Sequence, residues 1–108
     1  MQLDDYQAAA RRSAIYGDRF RVIYPALGLA SEAGEACGKI KKVLRDRDGD
    51  FAEAPLAALE DELGDVLWYL AVLAADLGLS LDQIATRNLD KLHSRLARGQ
   101  LGGSGDRR

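Results

Sequence analysis

Glu60-Asp61-Glu62-Leu63-Gly64-Asp65-Val66-Leu67-Trp68-Tyr69-Leu70-Ala71-Val72-Leu73-Ala74-Ala75 is acidic in its first half and apolar throughout its second. At 100° per residue, Glu62, Asp65 and Tyr69 fall within about 60° of one another on a helix. Val66–Ala75 carries no charge on any face, so other helices are expected to cover it on every side. A short chain supplies too few helices for that, and completion by a homodimer or homotetramer is expected. Carboxylates at the mouth of a buried helix must also be neutralised, and that need directs the functional reading.

The 108 residues are enough for one modest core. Net charge is −2, which argues against a nucleic-acid polymer as the main partner. Cys37 is the only cysteine, so no intrachain disulfide forms, a reducing cytoplasm is expected, and the thiol should pack as a small apolar group. The first residues show neither a basic n-region nor an apolar h-region, and the ten-residue apolar run is too short to span a bilayer; no membrane role is expected.

Outward from the central stretch, the pattern predicts an all-α, four-helix bundle-like domain over residues 1–98 and a glycine-rich tail over 99–108. The first helix is expected from Leu3 to about Ile15, with Asp4 and Asp5 suiting its positive end. Residues Arg19–Tyr24 are ambiguous and, with Tyr16, supply three aromatics. The second helix is expected from Pro25 to about Arg45. Its glycines 28, 34 and 38 imply close approach of a backbone or ligand, or tight helix packing. The third runs from Pro55 and stops at Gly78. Ser80-Leu81-Asp82-Gln83 has the capping-box pattern for a fourth, ending near Arg98.

Two acidic pairs share one spacing, Glu32/Glu35 on the second helix and Glu62/Asp65 on the third. Positions i and i+3 are surface neighbours, and adjacent antiparallel helices can bring all four together. Two unit charges 4–5 Å apart repel by roughly 3–4 kcal/mol at an effective dielectric near 20. Such acids diverge into water, share protons or bind cations. An all-oxygen donor set suits a hard ion, Mg²⁺ or Mn²⁺; the competing reading is a solvated face, with Glu35–Lys39 as an i,i+4 ion pair. Lys39 and Lys42 continue the acidic stripe within about an 80° arc, placed to meet phosphate. On the fourth helix Asn88, Lys91 and Arg95 line up beside the leucine stripe, at the edge of a cleft or in solvent. His93 is expected at the surface.

Leu27–Glu35, Glu62–Tyr69 and Asn88–Arg95, with 26 residues between the E-x-x-E and E-x-x-D motifs, resemble the MazG-like nucleoside triphosphate pyrophosphohydrolases of the all-α NTP pyrophosphatase superfamily. The resemblance spans nearly the whole chain. It implies Mg²⁺-dependent cleavage of a nucleoside triphosphate to monophosphate and pyrophosphate, with Glu32, Glu35, Glu62 and Asp65 as metal ligands. It further implies that Tyr69 contacts the nucleotide and that Asn88, Lys91 and Arg95 serve it from the last helix. Lys39, Lys91 and Arg95 would meet phosphate oxygens, and the tail with Arg107 would fold over the ligand. Lys42 stands where some dCTP-cleaving relatives carry an aromatic. A non-catalytic helical interaction module is the competing function; a ferritin-like di-metal bundle ranks last, because those sites use Glu-x-x-His.

Overall fold

The computed structural model describes residues 1–99 with Gly102, Gly103 and Gly105; among them all regular structure is helical. Four α-helices follow one another: α1 Leu3–Arg12, α2 Ile23–Arg47, α3 Leu56–Asp76 and α4 Leu81–Ala97, with a single 3₁₀ turn, Asp18–Phe20, before α2. The α1 helix stops three residues before Ile15. The N–H groups of Ser13 and Ala14 turn back on the carbonyls of Ala10 and Arg11, ending the helix before Gly17. The α2 helix begins at Ile23 rather than Pro25, which still lies in the first turn, where a missing N–H costs nothing.

The end of α3 follows from its sequence. Gly78 takes φ +74°, the Leu79 N–H returns to the Ala74 carbonyl at 2.8 Å, and the Gly78 N–H returns to Ala75 at 3.0 Å. That pair of bonds satisfies carbonyls the helix leaves open. Ser80 then accepts from the Gln83 N–H at 3.1 Å and starts α4. Its hydroxyl donates to Asp4 at 2.9 Å, and Asp4 also accepts from the Asp82 N–H at 3.0 Å, so one serine and one aspartate join the starts of α1 and α4.

The core lies where α1 crosses the second half of α3. Ala10, Ala71, Val72, Ala74 and Leu81 are buried together, flanked by Tyr6, Ala14, Tyr16 and Trp68. Small residues at 71 and 74 let the α1 backbone come close enough for buried Gln7 to act as a polar clamp. Its amide donates to the carbonyls of Ala71 (3.2 Å) and Leu79 (2.8 Å) and accepts from the Leu81 N–H at 3.1 Å. Every buried polar atom of this side chain therefore has a partner.

The α2 and α3 helices form the most extensive pair and run antiparallel, with Gly28 beside Tyr69 and Lys39 beside Glu62. The coverage expected around Val66–Ala75 is only partly supplied by one chain: Ala71, Val72 and Ala74 are buried, whereas Leu63, Leu67 and Leu70 keep exposed faces. The α4 helix leaves α3 at 102°, and its leucines 89, 92 and 96 also remain exposed. The radius of gyration is 16.8 Å, against about 13 Å for a compact chain of this length. Cys37 is exposed rather than packed, because α2 buries one narrow face, Pro25, Ala36 and Val43, and residue 37 points away from it. His93 is exposed, as expected.

One backbone site is strained. Val22 has φ 68° and ψ −55°, and the Ile23 N–H closes a three-residue turn on the Arg21 carbonyl at 2.7 Å. For a β-branched residue this conformation costs about 1–3 kcal/mol and persists only where neighbours enforce it. The enforcing group is Asp76, whose Oδ2 accepts from the Val22 N–H at 3.0 Å and from the Tyr16 hydroxyl at 2.7 Å.

Asp4 and Asp76 give the fold an acid limit. The Asp82 N–H and the Ser80 hydroxyl hold the Asp4 carboxyl below its ordinary value of 3.8. Burial pushes Asp76 up, but the Val22 N–H, the Tyr16 hydroxyl and Arg11 outweigh it and leave that carboxyl below 3.8 as well. For carboxyls with lowered folded-state values, the stabilisation is complete above the unfolded value and is lost as pH falls through the folded one. The melting temperature is expected to decline below about pH 4, and Asp4→Asn, which cannot be titrated, should flatten that decline in a calorimetric pH series.

Candidate metal centre

Helix periodicity puts Glu62 and Asp65 on one face of α3, and the antiparallel packing of α2 brings Glu32 to meet them. One carboxylate oxygen from each of the three lies within 4.8 Å of the others. Glu32 and Glu62 are half-buried and Asp65 is exposed. Burial holds the Glu32 carboxyl above the usual glutamate value, reinforced by a hydrogen bond with Glu62 and by the charges of Asp65, Glu62 and Glu35. Each neighbouring negative charge makes it harder for Glu32 to give up its proton.

Glu35 is the exception among the four expected ligands. It is close enough for Glu32 to feel its charge, but it is exposed and stands outside the group of three. Three residues turn it about 60° around α2 from Glu32, toward solvent. The Glu35–Lys39 ion pair of the competing solvated-face reading gives way to a cross-helix one, with the Lys39 ammonium 3.7 Å from Glu62 Oε1. Lys39 also opens a cavity of about 260 Å³ between the end of α2 and the start of α3, shared with Lys42, Arg47 and Ala58.

Tyr69 borders the cluster. Burial raises its phenol, as do a hydrogen bond with Tyr24 and the nearby charges of Glu32 and Asp65. Its ring lies against Gly28, in the space a Cβ would occupy, so Gly28 answers to close packing. Nothing lies within 4 Å of a Cβ built at Gly34 or Gly38, and the close approach expected there is absent within the described residues. Tyr69 meets Trp68 edge-on at 5.0 Å and Tyr24 at 6.3 Å, and Tyr24 stacks on Tyr16 at 5.0 Å. Trp68 is anchored in turn, its indole donating to Ser13 Oγ at 2.8 Å. Tyr16, Tyr24 and Asp76 were not singled out by sequence reasoning; the only signal was the run of aromatics ahead of α2.

The last helix behaves differently from expectation. Asn88 and Lys91 line a separate groove of about 630 Å³ with Ser80, Gln83 and Arg87, and none of the three clustered acids borders it. Arg95 is buried, with Nη2 3.5 Å from the Gly105 carbonyl, rather than leaning over a cleft. The cause is the 102° turn between α3 and α4, which carries these side chains away within one chain. Arg107 lies outside the described residues.

The sequence profile of the MazG nucleotide pyrophosphohydrolase domain matches residues 25–98, which include all four acids and the whole of α3 and α4. The chain belongs to the MazG family. It is also 46% identical over 114 aligned positions, covering 100% of both chains, to the Gene 37 protein of Mycobacterium phage L5. No solved structure matches. Within the MazG domain the acidic group fits a divalent ion by its chemistry: three hard oxygen donors and no nitrogen or sulfur ligand. Among the described residues no single helix is long and apolar enough to cross a membrane.

Gly28 supplies a direct test of the wall beside the acids. Gly28→Ala places a methyl group where the Tyr69 ring lies and should destabilise the protein by about 1–3 kcal/mol, the usual cost of overpacking. Gly34→Ala, in open space, should be neutral or stabilising by about 1 kcal/mol. Paired thermal melts of the two variants check the contrast.

Proposed function

We propose that this MazG-family chain hydrolyses a nucleoside triphosphate to the monophosphate and pyrophosphate in a Mg²⁺-dependent reaction, with Mn²⁺ as a substitute. The observation that carries the proposal is the convergence of Glu32, Glu62 and Asp65 within 4.8 Å across the α2–α3 seam, beside one lysine and one tyrosine. Carboxylates so close are unfavourable unless something positive joins them. A bound divalent cation supplies charge neutralisation and Lewis acidity toward phosphate oxygens. Glu32, Glu62 and Asp65 would hold it, and Glu35, beside them but outside the group, completes the ligand set or takes the proton of the attacking water. Attack at the α-phosphorus releases pyrophosphate. Lys39, already paired with Glu62, is placed to exchange that partner for a phosphate oxygen. Tyr69 would contact the nucleotide from the opposite side.

Assembly belongs to the same proposal. The chain exposes 7772 Å², against about 5,900 Å² for a compact folded monomer of 11.7 kDa. The surplus, with the bare leucines of α3 and α4, suits a second copy of the chain in a homodimer or a pair of dimers. Asn88 and Lys91, carried away from their own acids, would serve the nucleotide from the partner copy, and Arg95 would join them only on leaving its buried contact with Gly105. A reducing cytoplasm suits a protein with one exposed thiol.

A panel of nucleoside triphosphates incubated with Mg²⁺, resolving pyrophosphate from orthophosphate, tests the activity. Glu62→Gln and Asp65→Asn are expected to lower pyrophosphate release at least about 100-fold, as is omission of the metal. Near-normal turnover in both variants would remove the acidic group from the reaction, and no pyrophosphate release from the parent would leave the non-catalytic interaction-module reading standing. Light scattering at micromolar concentration should report a dimer or tetramer; a monomer refutes the assembly.

A further inference from the structure

Asp76, the last residue of α3, is not among the acids of the metal centre, yet its side chain has no exposed surface. Burying a carboxylate is costly unless it is fully engaged. Here Tyr16, Val22 and Arg11 engage it, with Oδ1 held by the ion pair and without a hydrogen-bond partner. Oδ2 accepts from the Tyr16 hydroxyl at 2.7 Å and from the Val22 N–H at 3.0 Å, and Oδ1 lies 3.4 Å from Arg11 Nε. The consequence extends beyond the core. Tyr16 is stacked on Tyr24 at 5.0 Å, and Val22 is the strained residue from which α2 departs, so its turn sets the rotational phase at which Tyr24 and Gly28 leave the loop. Tyr24 and Gly28 are the groups that hold Tyr69, the residue bordering Glu32 and Asp65.

We propose that Asp76 is a positioning residue for the substrate pocket: from the far end of α3 it clamps Tyr16 and the Val22 turn, and through them fixes the tyrosine wall facing the acidic group. The wall's role in binding rests on the nucleotide hydrolase reading above; the clamp itself does not. Asp76 touches none of the three clustered acids, so its removal should disturb binding geometry more than the chemical step.

The test compares Asp76→Ala, Asp76→Asn and the double variant Asp76→Ala/Val22→Gly in the full chain, by steady-state pyrophosphate release and near-ultraviolet circular dichroism. Asp76→Ala is expected to raise KM about tenfold while kcat changes less than about threefold. Asp76→Asn keeps a carbonyl oxygen for both donors and should fall between Asp76→Ala and the parent. Glycine adopts a positive φ without an anchor, so the double variant should recover at least half of the KM loss. A merely structural role would reduce the folded fraction, lowering kcat with KM unchanged, and that result overturns the proposal. If Asp76→Ala does not fold, Tyr16→Phe deletes one of the two hydrogen bonds alone; it should raise KM about threefold, and an unchanged KM counts against the clamp. If the parent cleaves no nucleotide, the hydrolase reading fails by itself and the dichroism decides. A tyrosine band weakened in Asp76→Ala but kept in Asp76→Asn supports the clamp, and identical bands in all three proteins refute it.

Discussion

Like charges forced together across the seam between α2 and α3 are the constraint around which this molecule is arranged. Glu32, Glu62 and Asp65 approach within 4.8 Å, the Glu32 carboxyl is held above the usual glutamate value, and Lys39 pairs with Glu62 at the edge of the group. Such a cluster works against packing, so the stability that offsets it has to be generated elsewhere. It is generated in the second half of α3, where Ala71, Val72 and Ala74 meet Ala10 and Leu81 around the fully satisfied Gln7. One helix therefore carries the two tasks end to end, acids first and core second, with Trp68 and Tyr69 at the boundary.

That division explains why the connector before α2 is built so tightly. The α2 helix brings Glu32 to the seam but buries little of itself, only Pro25, Ala36 and Val43. Its placement depends on the contact of Gly28 with Tyr69 and on the way the chain enters at Val22. A strained turn there is held by a carboxylate from the rigid end of α3, which ties the less buried helix to the better buried one. Burial also pushes the Tyr16 phenol up to about 12, aided by its hydrogen bond to Asp76, so this donor keeps its proton at any physiological pH.

Much of this was legible from residue order alone. Ser80 as a helix start, Gly78 as a stop and the paired acids at i and i+3 depend on neighbours a few residues away, and each is where local chemistry puts it. Asp76 was not legible, because its three partners lie more than fifty residues away in sequence. Nor was the cause of Gly28, since a glycine within a helix gives no sign of which ring will lie against it. The identical spacing of the two acidic pairs made Glu35 look equivalent to Glu32, and only the packing of α3 against one side of α2 separated them.

Short-range rules (helix period, capping, charge and hydrophobic alternation) are properties of the string, and they determined that the chain is all-helical, where most of its helices end and which acids could share a face. The crossing of α4 at 102°, the exclusion of Glu35 from the group of three and the clamp at Asp76 were decided by tertiary structure. Each depends on which surfaces meet once the helices exist. That choice is made by packing and desolvation among residues far apart in the chain, where no local pattern records it.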